Sequence, residues 1–276
     1  MMKLGCMSLS YKDQFTAGEI DMAGFIDKAY DLRLDGIDIH TRAFESEDPA
    51  YLRDIRMRCL RRGLAISYLG VSNDFGRPQE ELPEVVGTVK HWVDVAEFMG
   101  VPLVRIFAAW NRNDEPEEQV WDRMMPCMQE VAEYGQQKGI VLGLHNHNHG
   151  CVTRTGKDVR RILETVDNPY LSHILDTGQY VGSPGSSGQR GTEDPALNFY
   201  GSIAETAPLA VHVRAKVYRI STGEEVWLNY PRIFEILNGV NYNGWVSIVY
   251  EGQDEEAEET AVPKAVNYLR QFVPSG

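Results

Sequence analysis

LVRIFAAWNRNDEPEEQVWDRMMPCMQEVAEYGQQKGIVLGLH, residues 103–145, decides the fold. It opens on a β-type run, Leu103 to Phe107, too short and too β-branched for a helix. From Glu117 to Lys138 the apolar residues recur at spacings of three and four, the period of an amphipathic helix. Gly139 stops that helix, as a residue free to turn left-handed does. A second β-type run, Ile140 to His145, follows at once. A strand, a helix long enough to cross over and a second strand make a parallel β/α/β unit.

The same rhythm fills the chain. Further runs at Lys3 to Met7, Gly36 to His40, Leu64 to Leu69, Ser172 to Asp176, Leu209 to Val213 and Trp245 to Tyr250 bring the strands to eight. Helical patterns alternate with them, clearest at Glu19 to Arg33, Tyr51 to Arg62 and Val85 to Phe98, with Gly63 and Gly100 at two of the stops. Eight β/α units in 276 residues predict one (β/α)8 TIM barrel, an α/β fold of a single domain over residues 1–276, with no linker dividing it.

Bulk properties narrow the function. Lys and Arg number 27 against 40 Asp and Glu, a net charge of −13, the wrong sign for nucleic acid or anionic lipid. The N-terminus is too short and polar for a signal, and no run reaches the roughly 20 apolar residues that cross a bilayer. Cys6, Cys59, Cys127 and Cys151 form no CxxC pair and fit reduced thiols, so the expectation is a cytoplasmic protein. There is no GxGxxG and no GxxxxGK[ST], which leaves nucleotide-dependent chemistry without support.

Chemistry on such a barrel collects at the carboxyl ends of its strands. The fifth ends in LGLHNHNHG, placing His145 and His147 on one side of an extended chain. The sixth ends in HILDTG, with Asp176. The seventh reads AVHVRAK, with His212 and then Arg214 on the same face, and the eighth reads SIVYEG, with Glu251. Taken singly, a strand-end Asp176 is more often a helix cap and a lone His212 more often a hydrogen-bonded structural histidine, and Glu251 reads also as part of the acidic block at Asp254 to Glu259. Together, the two imidazoles and two carboxylates of His145, Asp176, His212 and Glu251 predict a site for one divalent cation. Mixed nitrogen and oxygen ligands suit manganese first, then zinc, cobalt or iron.

Glu251 is the expected base, with His147 or His145 as second acid or base. Arg105, His40, Trp110 and Arg214 are the expected substrate contacts. Arg105 reads equally as an interior arginine paired with Asp38 or another acid, and Lys216 either orients an oxyanion together with Arg214 or is a solvated loop charge. A Gly/Ser/Pro-rich stretch, Val181 to Asp194, would form a loop at the active-site rim or, equally, a plain flexible surface loop.

The fragments GIDIH (36–40), VRIF (104–107), LGLHNH (142–147), LDTG (175–178), VHVRA (211–215) and VYEG (249–252) together resemble the sugar phosphate isomerase/epimerase family, xylose-isomerase-like TIM barrels. That family includes tagatose epimerases, inosose isomerases and dehydratases, and dehydroshikimate dehydratases. The resemblance covers nearly the whole chain and implies a metal held by Glu, Asp, His and Glu from the last four strands. Those places fall on His145, Asp176, His212 and Glu251. His145 therefore stands where the family has a glutamate, which removes one of the two carboxylates of a symmetric epimerase. Gln179 stands where a substrate-contacting histidine often lies, and HxKD has become His212, Val213, Arg214, Ala215.

The resemblance implies a metal-dependent carbohydrate isomerase or epimerase that abstracts a proton beside a carbonyl. The alternative is a dehydratase or lyase on a keto-sugar, inosose or keto-glycoside through the same enediolate. A non-catalytic barrel subunit or sugar-binding partner is the second alternative. An endonuclease-like phosphodiesterase would need further ligands and a basic groove. The partner is a small carbohydrate, with a homo-oligomer or partner subunit left open.

Overall fold

The computed structural model describes residues 1–185 and 190–274. Eight parallel strands close a barrel in chain order, β1 pairing with both β2 and β8. They are β1 Lys3–Met7, β2 Gly36–His40, β3 Ala65–Gly70, β4 Leu103–Ile106, β5 Val141–His145, β6 Leu171–Asp176, β7 Ala210–Val217 and β8 Trp245–Tyr250. The helices are α1 Lys12–Ala17, α2 Met22–Asp31, α3 Pro49–Arg61, α4 Leu82–Met99, α5 Glu117–Lys138, α6 Gly156–Val166, α7 Phe199–Thr206, α8 Tyr230–Gly239 and α9 Glu258–Leu269. The TIM barrel expected from the alternation is the fold observed, with α1 as an extra short helix in the first crossover.

Local sequence sets the helix ends. Asp21 accepts the amide of Gly24 at 2.7 Å to start α2, and Thr155 with Asp158 forms a capping box at α6. Gly63, Gly100 and Gly139 all have positive φ, near +70°, where an L side chain would be strained. Of the stretch from Val181 to Asp194, residues 186–189 lie outside the described residues. Among the described residues no helix is long and apolar enough to cross a membrane.

Two apolar clusters divide the core. The large one fills the layer between barrel and helices, and the small one, Met7, Tyr68, Leu103, Ile174 and Val249, plugs the barrel interior. Strand β7 shows why the two differ. Its Val213, Ala215 and Val217 join the outer layer, so His212, Arg214 and Lys216 alternate to the inside. The strand runs four residues beyond the expected end at Val213, because these interior cations find carboxylate partners on neighbouring strands.

Candidate active site at the barrel mouth

Register fixes the heights of the candidate residues. Asp176, the last residue of β6, is level with Arg214, whereas His212 is level with Ile174, two residues further down the barrel. His212 is fully buried there, 3.5 Å from Asp38 Oδ2 and edge-on to Tyr68 at 4.8 Å between ring centroids. The expected fourth ligand therefore does not join the other three. Its height follows from the long β7, which carries Lys216 rather than His212 to the mouth.

Asp176 is the hub. Its Oδ2 lies 3.2 Å from His145 Nε2, accepts from Arg214 Nε at 3.0 Å, and lies 3.2 Å from Lys216 Nζ. Its Oδ1 accepts the amide of Gly178 at 3.0 Å, and its backbone N–H and C=O are both held by the Asn146 amide side chain, at 2.8 and 3.0 Å. The next helix, α7, begins at Phe199, so Asp176 caps no helix. Burial works to raise its carboxyl, but Lys216, His145 and Arg214 outweigh it and hold the group well below the usual carboxylate range.

Lys216 spans to the second acid. Its Nζ donates to Glu251 Oε1 at 2.7 Å, and it is 1% exposed against 36% for the Glu251 side chain. The lysine is thus buried and doubly paired, where a loop charge was the alternative. Arg214 also donates from Nη1 to Tyr68 Oη at 2.5 Å.

His145 and His147 do come together, their ring centroids 5.8 Å apart. Burial, with the Arg214 charge, pushes His145 well below its ordinary value, and burial with His149 and Lys216 nearby pushes His147 down to about 3. Both imidazoles are neutral near pH 7. His145 then donates Nε2–H to Asp176 and keeps Nδ1 as a buried acceptor that meets no partner among the described residues.

Phe107 lies 5.1 Å from His145, 5.5 Å from His147 and 4.9 Å from Trp110 between centroids. The guanidinium of Arg105 stacks on its ring at 4.3 Å, with Nε and Nη1 buried and meeting no hydrogen-bond partner among the described residues. Asp38 instead takes Ser67 and His212, so the Arg105–Asp38 pair does not form. Burial and the Arg214 charge bring Arg105 down to about 9. His40 contacts Ser72 Oγ at 3.3 Å and accepts the Arg42 amide on Nδ1 at 3.2 Å, and burial pushes it down to about 3.

Beside these aromatics lies a cavity of about 500 Å³, lined among others by Arg42, Asn73, Asp74, Phe107 and Trp110. A second cavity, of about 540 Å³, shares Arg42 and includes His40. Arg42, in a single 3-10 turn over Thr41–Ala43, and Asn73 and Asp74, from a loop, gave no periodic signal in the sequence. The acidic block pairs elsewhere. Asp254 and Glu255 hold Arg219 at 2.9 and 3.0 Å, and Glu258 opens α9 while accepting the amide of Asp13.

The profile of the xylose isomerase-like TIM barrel family matches residues 26–272. The chain belongs to that family. It is 24% identical over 259 residues to an inosose dehydratase of Geobacillus kaustophilus, covering 82% of this chain and 77% of that protein. It is also 24% identical over 177 residues to an inosose dehydratase of Mesomycoplasma hyopneumoniae, spanning 56% of this chain and about half, 55%, of that relative. Among solved structures, an IolI protein with a bound zinc atom superposes with a TM-score of 0.76 at 15% identity, covering 99% of this chain and all of the other.

A bound divalent ion, as in that zinc structure, needs several donors around one point. The described residues of this chain offer no group of three or more His, Cys, Asp and Glu side chains disposed to hold one. His212 faces Asp38, and the lone pairs of Asp176 and Glu251 that would bind a metal already accept from Arg214 and Lys216. The donor set as folded does not fit a divalent ion.

Proposed function

We propose that this protein is an enzyme of carbohydrate metabolism that moves a proton on the carbon beside the carbonyl of a polyhydroxylated ketone. The observation that carries the reading is the hydrogen-bonded group of His145, Asp176, Arg214, Lys216 and Glu251 beside a mouth walled by Phe107, Trp110 and His147. Sugar-type ligands fit such a wall, with a flat apolar face against an aromatic ring and hydroxyls toward polar side chains.

Glu251, the most open carboxylate of the group, takes the proton. As the carbon–hydrogen pair becomes a carbon–carbon double bond, the carbonyl electrons move onto oxygen. Preorganised positive N–H groups then stabilise the oxyanion. His147, neutral and half-buried beside Trp110, returns or relays the proton. Return at the same carbon gives epimerisation and return at its neighbour gives isomerisation. Loss of a β-hydroxyl gives dehydration, the reading that the inosose dehydratase relatives favour. A single open carboxylate beside imidazoles is a chemically unlike pair, which suits distinct base and acid roles better than two symmetric carboxylates do.

The test is proton exchange. The protein is incubated in D2O with keto-sugars, inososes and keto-glycosides, and the carbon adjacent to the carbonyl is followed by NMR. Deuterium incorporation, isomerisation or elimination that disappears in Glu251→Gln is expected. Binding without exchange across the panel would make the chain a non-catalytic sugar-binding barrel.

A further inference from the structure

We propose that Lys216, with Arg214, is a built-in cation that stands in for a divalent metal at this barrel mouth. The charges balance without an ion, since two carboxylates, Asp176 and Glu251, face two fixed cations, Arg214 and Lys216. Both cations come from one strand face. Arg214 is level with Asp176 across β6 and β7, and Lys216 is level with Val249, two residues before Glu251 on the other neighbour.

The place of Lys216 is prepared by the fold. Its amide donates to Thr177 Oγ1 at 2.9 Å, and its carbonyl accepts from Tyr230 Oη at 2.6 Å. Gly178 leaves the room that its stem needs, because a Cβ there would come 2.6 Å from Lys216 Cγ and 2.8 Å from its Cβ. The same glycine also clears Tyr218 Oη, which would lie 2.7 Å from a Cβ there, so the room at Gly178 serves both side chains. A divalent ion at Asp176 and Glu251 would have to displace an ammonium and stand against a guanidinium of the same sign.

This deepens the reading of the site as one for proton transfer beside a carbonyl. An ammonium has three N–H donors, and two are engaged by Asp176 and Glu251. When Glu251 turns to the substrate carbon, the donor that it leaves and the third one face the substrate oxygen. The proton goes from carbon to Glu251, the C–H pair forms the new double bond, the carbonyl pair moves to oxygen, and Lys216 donates to that oxyanion. The later reprotonation reverses these movements, so no oxidant or reductant enters.

The test is metal content, read apart from activity. Protein purified without chelator, and protein dialysed against Mn2+, Co2+ or Zn2+, is measured by elemental analysis, with Lys216→Met and Lys216→Arg beside it. Wild type and Lys216→Arg should carry no stoichiometric metal. Lys216→Met, which releases Glu251 and removes one of the two cations on Asp176, should take up metal saturably. Stoichiometric metal in the wild type that falls in Asp176→Asn and Glu251→Gln overturns the proposal, and so does a folded Lys216→Met that binds none. Should Lys216→Met not fold, the wild-type and Lys216→Arg measurements decide. Exchange on an accepted ketone should be unchanged by chelator. Absence of turnover with absence of metal defeats the functional reading alone, whereas turnover that needs a stoichiometric metal defeats only the built-in cation.

Discussion

Arg214 and Asp176 face each other in register across β6 and β7, and Arg214 Nε lies 3.0 Å from Asp176 Oδ2 with both side chains buried. Removing one member of a buried pair leaves the other charge without compensation, which costs about 3–5 kcal/mol. Asp176→Ala leaves Arg214 without its carboxylate and Lys216 with Glu251 alone, and is expected to lose stability in that range. Glu251→Gln, at the open end, should lose far less. Urea unfolding in the presence and absence of chelator measures both. An Asp176→Ala protein as stable as wild type would mean that the carboxylate is not the electrostatic hub.

His212 separates the two accounts of the mouth. Its imidazole lies against Asp38 and Tyr68, below the layer of Asp176 and Arg214. His212→Ala opens a cavity in a filled interior and is expected to cost about 2–4 kcal/mol, comparable to other large-to-small core changes. KM for an accepted ketone should stay near the wild-type value, because the side chain is out of the substrate's reach. A large rise in KM at unchanged urea midpoint would return His212 to the site.

The barrel was legible because its signal is repeated. Eight β-type runs and long 3.6-period helices such as Glu117–Lys138 each point to the same parallel alternation, and all eight strands appear, seven with ends shifted by at most one residue and β7 running four residues further. The mouth was legible in part. His145, Asp176 and Glu251 sit at strand ends, where the β/α rhythm puts them, but the height of His212 depends on where β7 stops. Arg214 reads as a substrate contact and Lys216 as an oxyanion contact or a loop charge, because the carboxylates that each pairs with lie 38 and 35 residues away in sequence. No local pattern shows such pairing, nor the convergence of Arg42, Asn73 and Asp74 around one cavity.

Trp110 is held over His147 at 5.8 Å and bridged to Cys151 by the backbone, so its ring forms a fixed wall. An aromatic contact of about 1–1.4 kcal/mol corresponds to roughly five- to tenfold in binding. Trp110→Ala is expected to raise KM by about that factor with kcat little altered. Steady-state kinetics on whichever ketone exchanges measures it. An equal fall in kcat with KM unchanged would place the ring at the reacting carbon instead of the sugar face.

Two buried imidazoles away from the acid cluster add to the response to pH of His145 and His147. His173 is fully buried between the Leu144 carbonyl, 2.9 Å from Nδ1, and Tyr180 Oη, 3.2 Å from Nε2, and burial pushes it down to about 4. His40, with Arg105, Arg42 and Arg214 adding to burial, falls to about 3. Both folded values lie below the ordinary 6.5, so the unfolded chain binds more protons between that value and 3 to 4. Stability contributed by keeping these rings neutral is complete above about pH 7. It is lost as pH falls through 6.5 toward the folded values, by about 1.4 kcal/mol per pH unit for each ring once the unfolded state is fully protonated. Urea midpoints at pH 7.5 and pH 5 should therefore differ, and His173→Gln, which keeps a hydrogen-bonding side chain without a titrating one, should flatten the slope. A wild-type stability that is level across this window would mean that these rings are charged or solvated in the folded protein.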